Sequence, residues 1–212
     1  GAPYIDRDEW RQTPYPHRNV HGGFANTDTR FTFYFPAEEE WGGRMYHPLE
    51  GAHAGHEEAF AGAMGALLGG LDMMVKLGGY MVESNSGHIG DDIDPRAGID
   101  PGLYGYRASV ESARFSKYIC KQVFGREPDY SYVWGGSGGG RRSPLCLEYC
   151  DGVYDGALPF MGGGNVEPHG TNSRVRSEQP FSFGSMFNVQ RLLRGDKLDG
   201  VIDAMAPGGS DD

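Results

Sequence analysis

Five residues in the middle of the chain, Gly135-Gly136-Ser137-Gly138-Gly139, leave few local structures open. They are preceded by an apolar, β-branched and aromatic run, Tyr130 to Trp134. They are followed by a segment with helical spacing from about Gly140 to Tyr149, in which Pro144 fits a first turn, where a missing N–H is no loss. A serine flanked by glycines between a strand and a helix is forced into a cramped turn in which neighbouring side chains would collide. Such a turn lifts the serine oxygen to the head of the helix, where the Gly138 N–H can bind a developing oxyanion. On these residues alone a purely structural glycine turn stays open. A phosphate loop of the Walker kind does not, because Arg141 and Arg142 stand where its Gly-Lys-Ser/Thr ending is required.

The flanks extend the pattern. A strand is predicted at Gly156 to Phe160, and a helix from Ala108 to Phe124, where Phe115, Tyr118, Ile119 and Val123 recur at helical spacing and Gly125 is a stop. Gly79 to Glu83 reads as a buried parallel strand, after a Gly/Ala-rich segment with helical character. Arg30 to Phe35 and Arg44 to Leu49 read as two strands of a hairpin, joined by Pro36, a Glu-rich turn, Gly42 and Gly43. Alternating strands and helices predict an α/β chain with a mostly parallel sheet and crossover helices. Residues 1–29 lack a clean period and are expected to form an extended arm on the surface. Residues 30–164 form the core, and residues 165–212 begin a cap or lid with short helices at Ser185 to Leu193 and Leu198 to Ala204.

Composition removes several classes of partner. With 29 acidic against 19 basic residues the net charge is −10, which opposes binding to nucleic acid. No run of 18 or more apolar residues is present, so no membrane span is expected, and no basic-then-apolar leader opens the chain. The 35 glycines fall in short clusters between apolar runs. Three cysteines, Cys120, Cys146 and Cys150, are too few for a disulfide framework and are expected as buried thiols.

Three segments then resemble, in order, the tannase and feruloyl esterase family of α/β-hydrolases. Gly135 to Pro159 (GGSGGGRRSPLCLEYCDGVYDGALP) is similar to its nucleophile region. Pro36 to Gly55 (PAEEEWGGRMYHPLEGAHAG) is similar to its strand and glycine-rich oxyanion loop, and Gly79 to His88 (GYMVESNSGH) to a further strand and turn. Together they span roughly Phe31 to Phe160. The resemblance implies an α/β-hydrolase fold of which this chain is the N-terminal part. It implies a serine esterase acting without a cofactor on small-molecule esters of aromatic or phenolic acids, and a secreted or periplasmic setting. Carried over by position, it makes Ser137 the nucleophile and Gly138 one oxyanion donor, with the second donor at Gly51-Ala52. Two departures stand out. Gly136 occupies the place of a cysteine that the family links to one beside its catalytic histidine, and Leu49-Glu50-Gly51-Ala52-His53 replaces a run of glycines.

The acid and the histidine of such a site follow the serine in chain order. His169 is the only histidine after Ser137, and with Glu167 it follows the last predicted strand too closely to be the usual base. The acid and base are therefore expected outside these 212 residues, on a further segment or a second chain.

Glu50, His53 and His88 are placed near the mouth of the site as candidate substrate contacts. His53, His56, Glu57 and Glu58 match no zinc motif, so no metal is expected, and Asp91, Asp92, Asp94 and Asp100 read as a solvated acidic loop. Arg141 and Arg142 read as ion-pairing or loop-bracing residues. Phe181, Phe183, Met186 and Phe187 suit either an aromatic substrate or packing of the cap. An amidase or peptidase on the same scaffold, and a non-catalytic binding module, remain open.

Overall fold

Alternation builds the centre of the sheet. In β3, Arg30–Phe35, the residues Phe31, Phe33 and Phe35 fall on one face and are fully buried, while Thr32 and Tyr34 fall on the other. The computed structural model describes residues 1–62, 65, 69–90, 100 and 102–160. Among them β3 joins β1 (Pro3–Arg11), β2 (His17–Phe24), β4 (Arg44–Leu49), β5 (Gly79–Ser84), β6 (Tyr130–Gly136) and β7 (Gly156–Phe160) in one sheet, ordered β1-β2-β3-β5-β4-β6-β7. The pairs β1–β2, β2–β3 and β3–β5 are antiparallel, and β5–β4, β4–β6 and β6–β7 are parallel. The sheet is thus mixed rather than mostly parallel.

Helices cover both faces. α1 is Leu71–Lys76, α2 is Ala108–Phe124 and α3 is Gly138–Glu148. Val110, Ala113, Ile119 and Cys120 of α2 pack on the phenylalanine face with Tyr80, Val82 and Val133, next to Cys146, Val153 and Tyr154. Leu71, Met74 and Val75 of α1 pack on the opposite face with Tyr34, Met81, Phe60 and Trp134. α2 keeps its expected bounds, and Gly125 closes it at φ 76°, donating its N–H to the Lys121 carbonyl at 3.0 Å. Tyr118, counted in its apolar stripe, is 58% exposed. Ser112 and Ser116 take buried places instead, because their hydroxyls are satisfied by the Ala108 and Ala113 carbonyls at 2.8 Å. All three cysteines are free and buried, and burial pushes the Cys120 and Cys146 thiols up to about 12.

Two expectations are corrected. β3 and β4 do not form a hairpin, because β5 lies between them. Residues 36–43, with the 3-10 turn Glu38–Glu40, are long enough to step past one strand, a span of about 10 Å at two inter-strand spacings. β4 gains by this, since Met45 and His47 are fully buried and need a neighbour on each side. The arm is the second. Residues 3–24 are extended, but as two strands of the sheet. β1 lies at the edge, with Ile5 42% and Trp10 51% exposed, so no alternation marks it.

Among the described residues no helix is long and apolar enough to cross a membrane. The cap region, residues 165–212, lies outside the described residues, as do Asp91, Asp92 and Asp94. Because Phe33 is fully buried between two sheet neighbours and Phe115 of α2, Phe33→Ala is expected to lower unfolding free energy by about 3–5 kcal/mol, measured by chemical denaturation.

Candidate active site

β6 ends at Gly136, Ser137 turns the chain with φ 54° and ψ −116°, and α3 begins at Gly138. Its helix starts two residues before the expected position, which puts Pro144 in the second turn rather than the first. A positive φ on a side-chain-bearing residue costs about 1–3 kcal/mol and persists only where neighbours enforce it. Here the Ser137 N–H donates to the Phe160 carbonyl at 3.1 Å, and its carbonyl accepts from the Arg141 N–H at 3.0 Å. The turn is therefore pinned to β7 on one side and to α3 on the other. The serine is half-buried.

The loop after β4 lies against this turn, main chain on main chain. A Cβ at Gly139 would sit 2.0 Å from the Leu49 carbonyl oxygen, and one at Gly138 would sit 2.4 Å from the Ala52 oxygen and 2.9 Å from its nitrogen. Only glycine admits that approach. Gly51 stands beside the serine, with its Cβ direction 3.8 Å from Ser137 Cβ. Ala52 has φ 48° and is exposed, and the Ala54 N–H closes the turn on the Gly51 carbonyl at 3.3 Å. Ser137, Gly138, Gly51 and Ala52, expected to share one site, are thus brought together. A serine hydroxyl at a helix start, with further backbone amides beside it, has the makings of an oxyanion-binding site.

Two side chains outside the expected site residues hold the loop. Arg142 is 1% exposed, donates to the Glu50 carbonyl at 2.5 Å, to the Gly138 carbonyl at 3.4 Å and to the Ser86 hydroxyl, and lies 4.7 Å above the Tyr104 ring. Tyr104 donates its hydroxyl to the Ala52 carbonyl at 2.6 Å. Arg142 fits the loop-bracing reading of its sequence position, four residues after Gly138 on the same helical face. Nothing in the sequence marks Tyr104.

His53 and His88 are buried against Tyr104, edge to face at 5.7 and 5.8 Å, and the His88 Nε2 bonds the His53 carbonyl at 2.7 Å. They pack the back of the loop. Glu50 reaches the site through its carbonyl. Glu57 bonds His21 at 3.2 Å and Glu58 pairs with Arg7, which fastens this loop to β1 and β2. Among the described residues no three His, Cys, Asp or Glu side chains are grouped to hold a metal, and no histidine or carboxylate hydrogen-bonds the Ser137 hydroxyl. Glu167 and His169 lie outside the described residues.

No protein-family model and no curated protein matches the chain in sequence. Its fold is similar to that of solved fungal enzymes. An esterase from Aspergillus oryzae aligns with a TM-score of 0.59 and 15% identity, over 74% of this chain and 34% of that one. Feruloyl esterase B from Aspergillus oryzae aligns at 0.53 and 15%, over 74% and 33%, and tannin acyl hydrolase from Aspergillus niger at 0.51 and 17%, over 73% and 30%. The chain spans about a third of the length of these structures. The tannase and feruloyl esterase resemblance drawn from three sequence segments is thus matched at the level of fold.

Behind the loop, β5 carries a carboxyl at Glu83, 2% exposed, that accepts the Phe60 N–H at 3.0 Å and the Ala61 N–H at 3.2 Å. Burial pushes Glu83 up to about 8, against the pull of those amides, and the nearby Glu50 charge adds to the rise. His47, fully buried on β4 with Nδ1 on the Tyr154 hydroxyl at 2.8 Å, is driven the other way, down to about 3, by burial and then by the Arg142 charge. A carboxyl raised in the folded state contributes stability that is complete below its unfolded pKa and is lost as pH rises through the folded one. Stability is therefore expected to fall between about pH 4.5 and about pH 8, by a few kcal/mol from Glu83. Glu83→Gln flattens this stretch of the profile in denaturation titrations, and an unchanged slope contradicts the assignment.

Proposed function

We propose that this chain carries the nucleophile half of an α/β-hydrolase serine esterase. Ser137 Oγ attacks the ester carbonyl, and the alcohol leaves as its oxygen takes a proton. Water then releases the acid from the acyl-enzyme. The Gly138 and Ala52 N–H groups receive the oxyanion formed in both steps. One observation carries the reading: Ser137 at φ 54° between β6 and α3, with the Leu49 to Ala52 main chain pressed against the same turn.

The general base and its acid partner come from residues beyond the described part of the fold or from a second chain. The similar esterases support this division, since the aligned part of this chain covers only 34% and 33% of their lengths. Esters of aromatic or phenolic acids are the proposed substrates, supported by the fold shared with a feruloyl esterase and a tannin acyl hydrolase. No cofactor is required.

In the full-length protein, Ser137→Ala is expected to abolish labelling by a fluorophosphonate and to cut turnover of p-nitrophenyl esters by about 10³-fold or more. An unlabelled wild-type serine, or a variant that retains turnover, removes the proposal.

A further inference from the structure

Arg142 is the largest fully buried side chain of the described fold, 1% exposed. Desolvating a guanidinium costs several kcal/mol, and a methionine or leucine would fill the same space without that cost. Its three hydrogen bonds go to neutral oxygens, those of the Glu50 carbonyl, the Gly138 carbonyl and the Ser86 hydroxyl. Among the described residues no carboxylate lies within ion-pair distance of it. Packing and charge pairing therefore leave the residue unexplained, whereas its partners are specific. They belong to three separate segments, which the one guanidinium ties together: the loop after β4, the turn after β5, and the residue that follows Ser137.

Peptide geometry shows what these contacts restrain. The Glu50 carbonyl belongs to the peptide joining residues 50 and 51, and Arg142 holds it. The Ala52 carbonyl belongs to the peptide joining 52 and 53, and Tyr104, lying under the guanidinium, holds that one at 2.6 Å. Between them lies the single peptide that carries the Ala52 N–H. Ala52 sits at φ 48°, a conformation that an unrestrained alanine leaves readily. Fixing the peptides on both sides fixes the direction of that N–H relative to Gly138.

We propose that Arg142 is a positioning residue of the ester-cleaving site, clamping the 50–52 loop with Tyr104 so that the Ala52 and Gly138 amides converge on one oxyanion. The proposal rests on Ser137 being the nucleophile. A lysine cannot replace the arginine, because one ammonium has no planar fork with which to span acceptors on three segments.

The test uses the full-length protein with Arg142→Met, Arg142→Lys and the milder Tyr104→Phe, read by hydrogen exchange, by steady-state turnover of p-nitrophenyl acetate and by inhibition with phenylboronic acid. Arg142→Met is expected to lower kcat by about 100-fold, the effect of losing one oxyanion donor, with KM changed by less than about 3-fold. Boronate affinity falls in parallel, since its tetrahedral adduct uses the same amides, and Arg142→Lys stays within about 10-fold of Arg142→Met. Amides of residues 51–54 exchange at least about 10-fold faster in Arg142→Met and Tyr104→Phe, while those of α2 keep their protection. A folded Arg142→Met with wild-type kcat and boronate affinity overturns the proposal, as does a rise in KM at constant kcat. If Arg142→Met does not fold, Tyr104→Phe decides, and unchanged exchange and kcat in that variant overturn the clamp. A wild-type Ser137 that resists fluorophosphonate removes the esterase reading alone, and the exchange rates of residues 51–54 still decide whether Arg142 holds the loop.

Discussion

Where Gly138 and Gly139 meet Leu49 to Ala52, two stretches of main chain approach to distances at which no Cβ fits. That contact aligns the end of β6, the start of α3 and the loop after β4 within a few ångströms. It needs glycine on the helix side and strands of matching length beneath it, which the paired register from Arg44–Tyr130 to Leu49–Gly135 provides. The serine is placed as a consequence.

Strain collects at the same edge of the sheet. Four non-glycine residues of the described structure have positive φ, and three of them, Ala52, Ser86 and Ser137, follow the parallel strands β4, β5 and β6. Each costs about 1–3 kcal/mol and is held by bonds from another segment. Ser137 is tied to Phe160 and Arg141, Ala52 to Tyr104, and Ser86 to Arg142. The two phenylalanine and methionine cores on either face supply the stability against which this strain is borne. The carboxyl ends of parallel strands are where α/β folds place their ligands, and here they also hold the least relaxed backbone.

Much of this was legible in the sequence because it depends on period and on glycine. β3, β4, α2 and β7 keep their read bounds, and the glycine turn lies where strand and helix spacing meet. What escaped depends on long-range pairing. The insertion of β5 between β3 and β4 leaves no local mark, since residues 36–43 resemble a hairpin turn as much as a step past one strand. β1 is exposed on both faces and so lost the alternation by which a strand is recognised. His53 and His88 read as mouth-lining because imidazoles are common in sites, and the fold adds what the sequence leaves unmarked, a ring contact of each with Tyr104 and a bond from His88 to the His53 carbonyl. Tyr104 lies 33 residues before the serine, on the turn leading into α2, and only the fold brings its hydroxyl to Ala52.

The most direct measurement is a crystal structure of the full-length protein after reaction with diethyl p-nitrophenyl phosphate. The account predicts phosphorus bonded to Ser137 Oγ, with the phosphoryl oxygen about 2.7–3.1 Å from the amide nitrogens of both Gly138 and Ala52. An adduct on another residue, or a phosphoryl oxygen directed away from both amides, contradicts it.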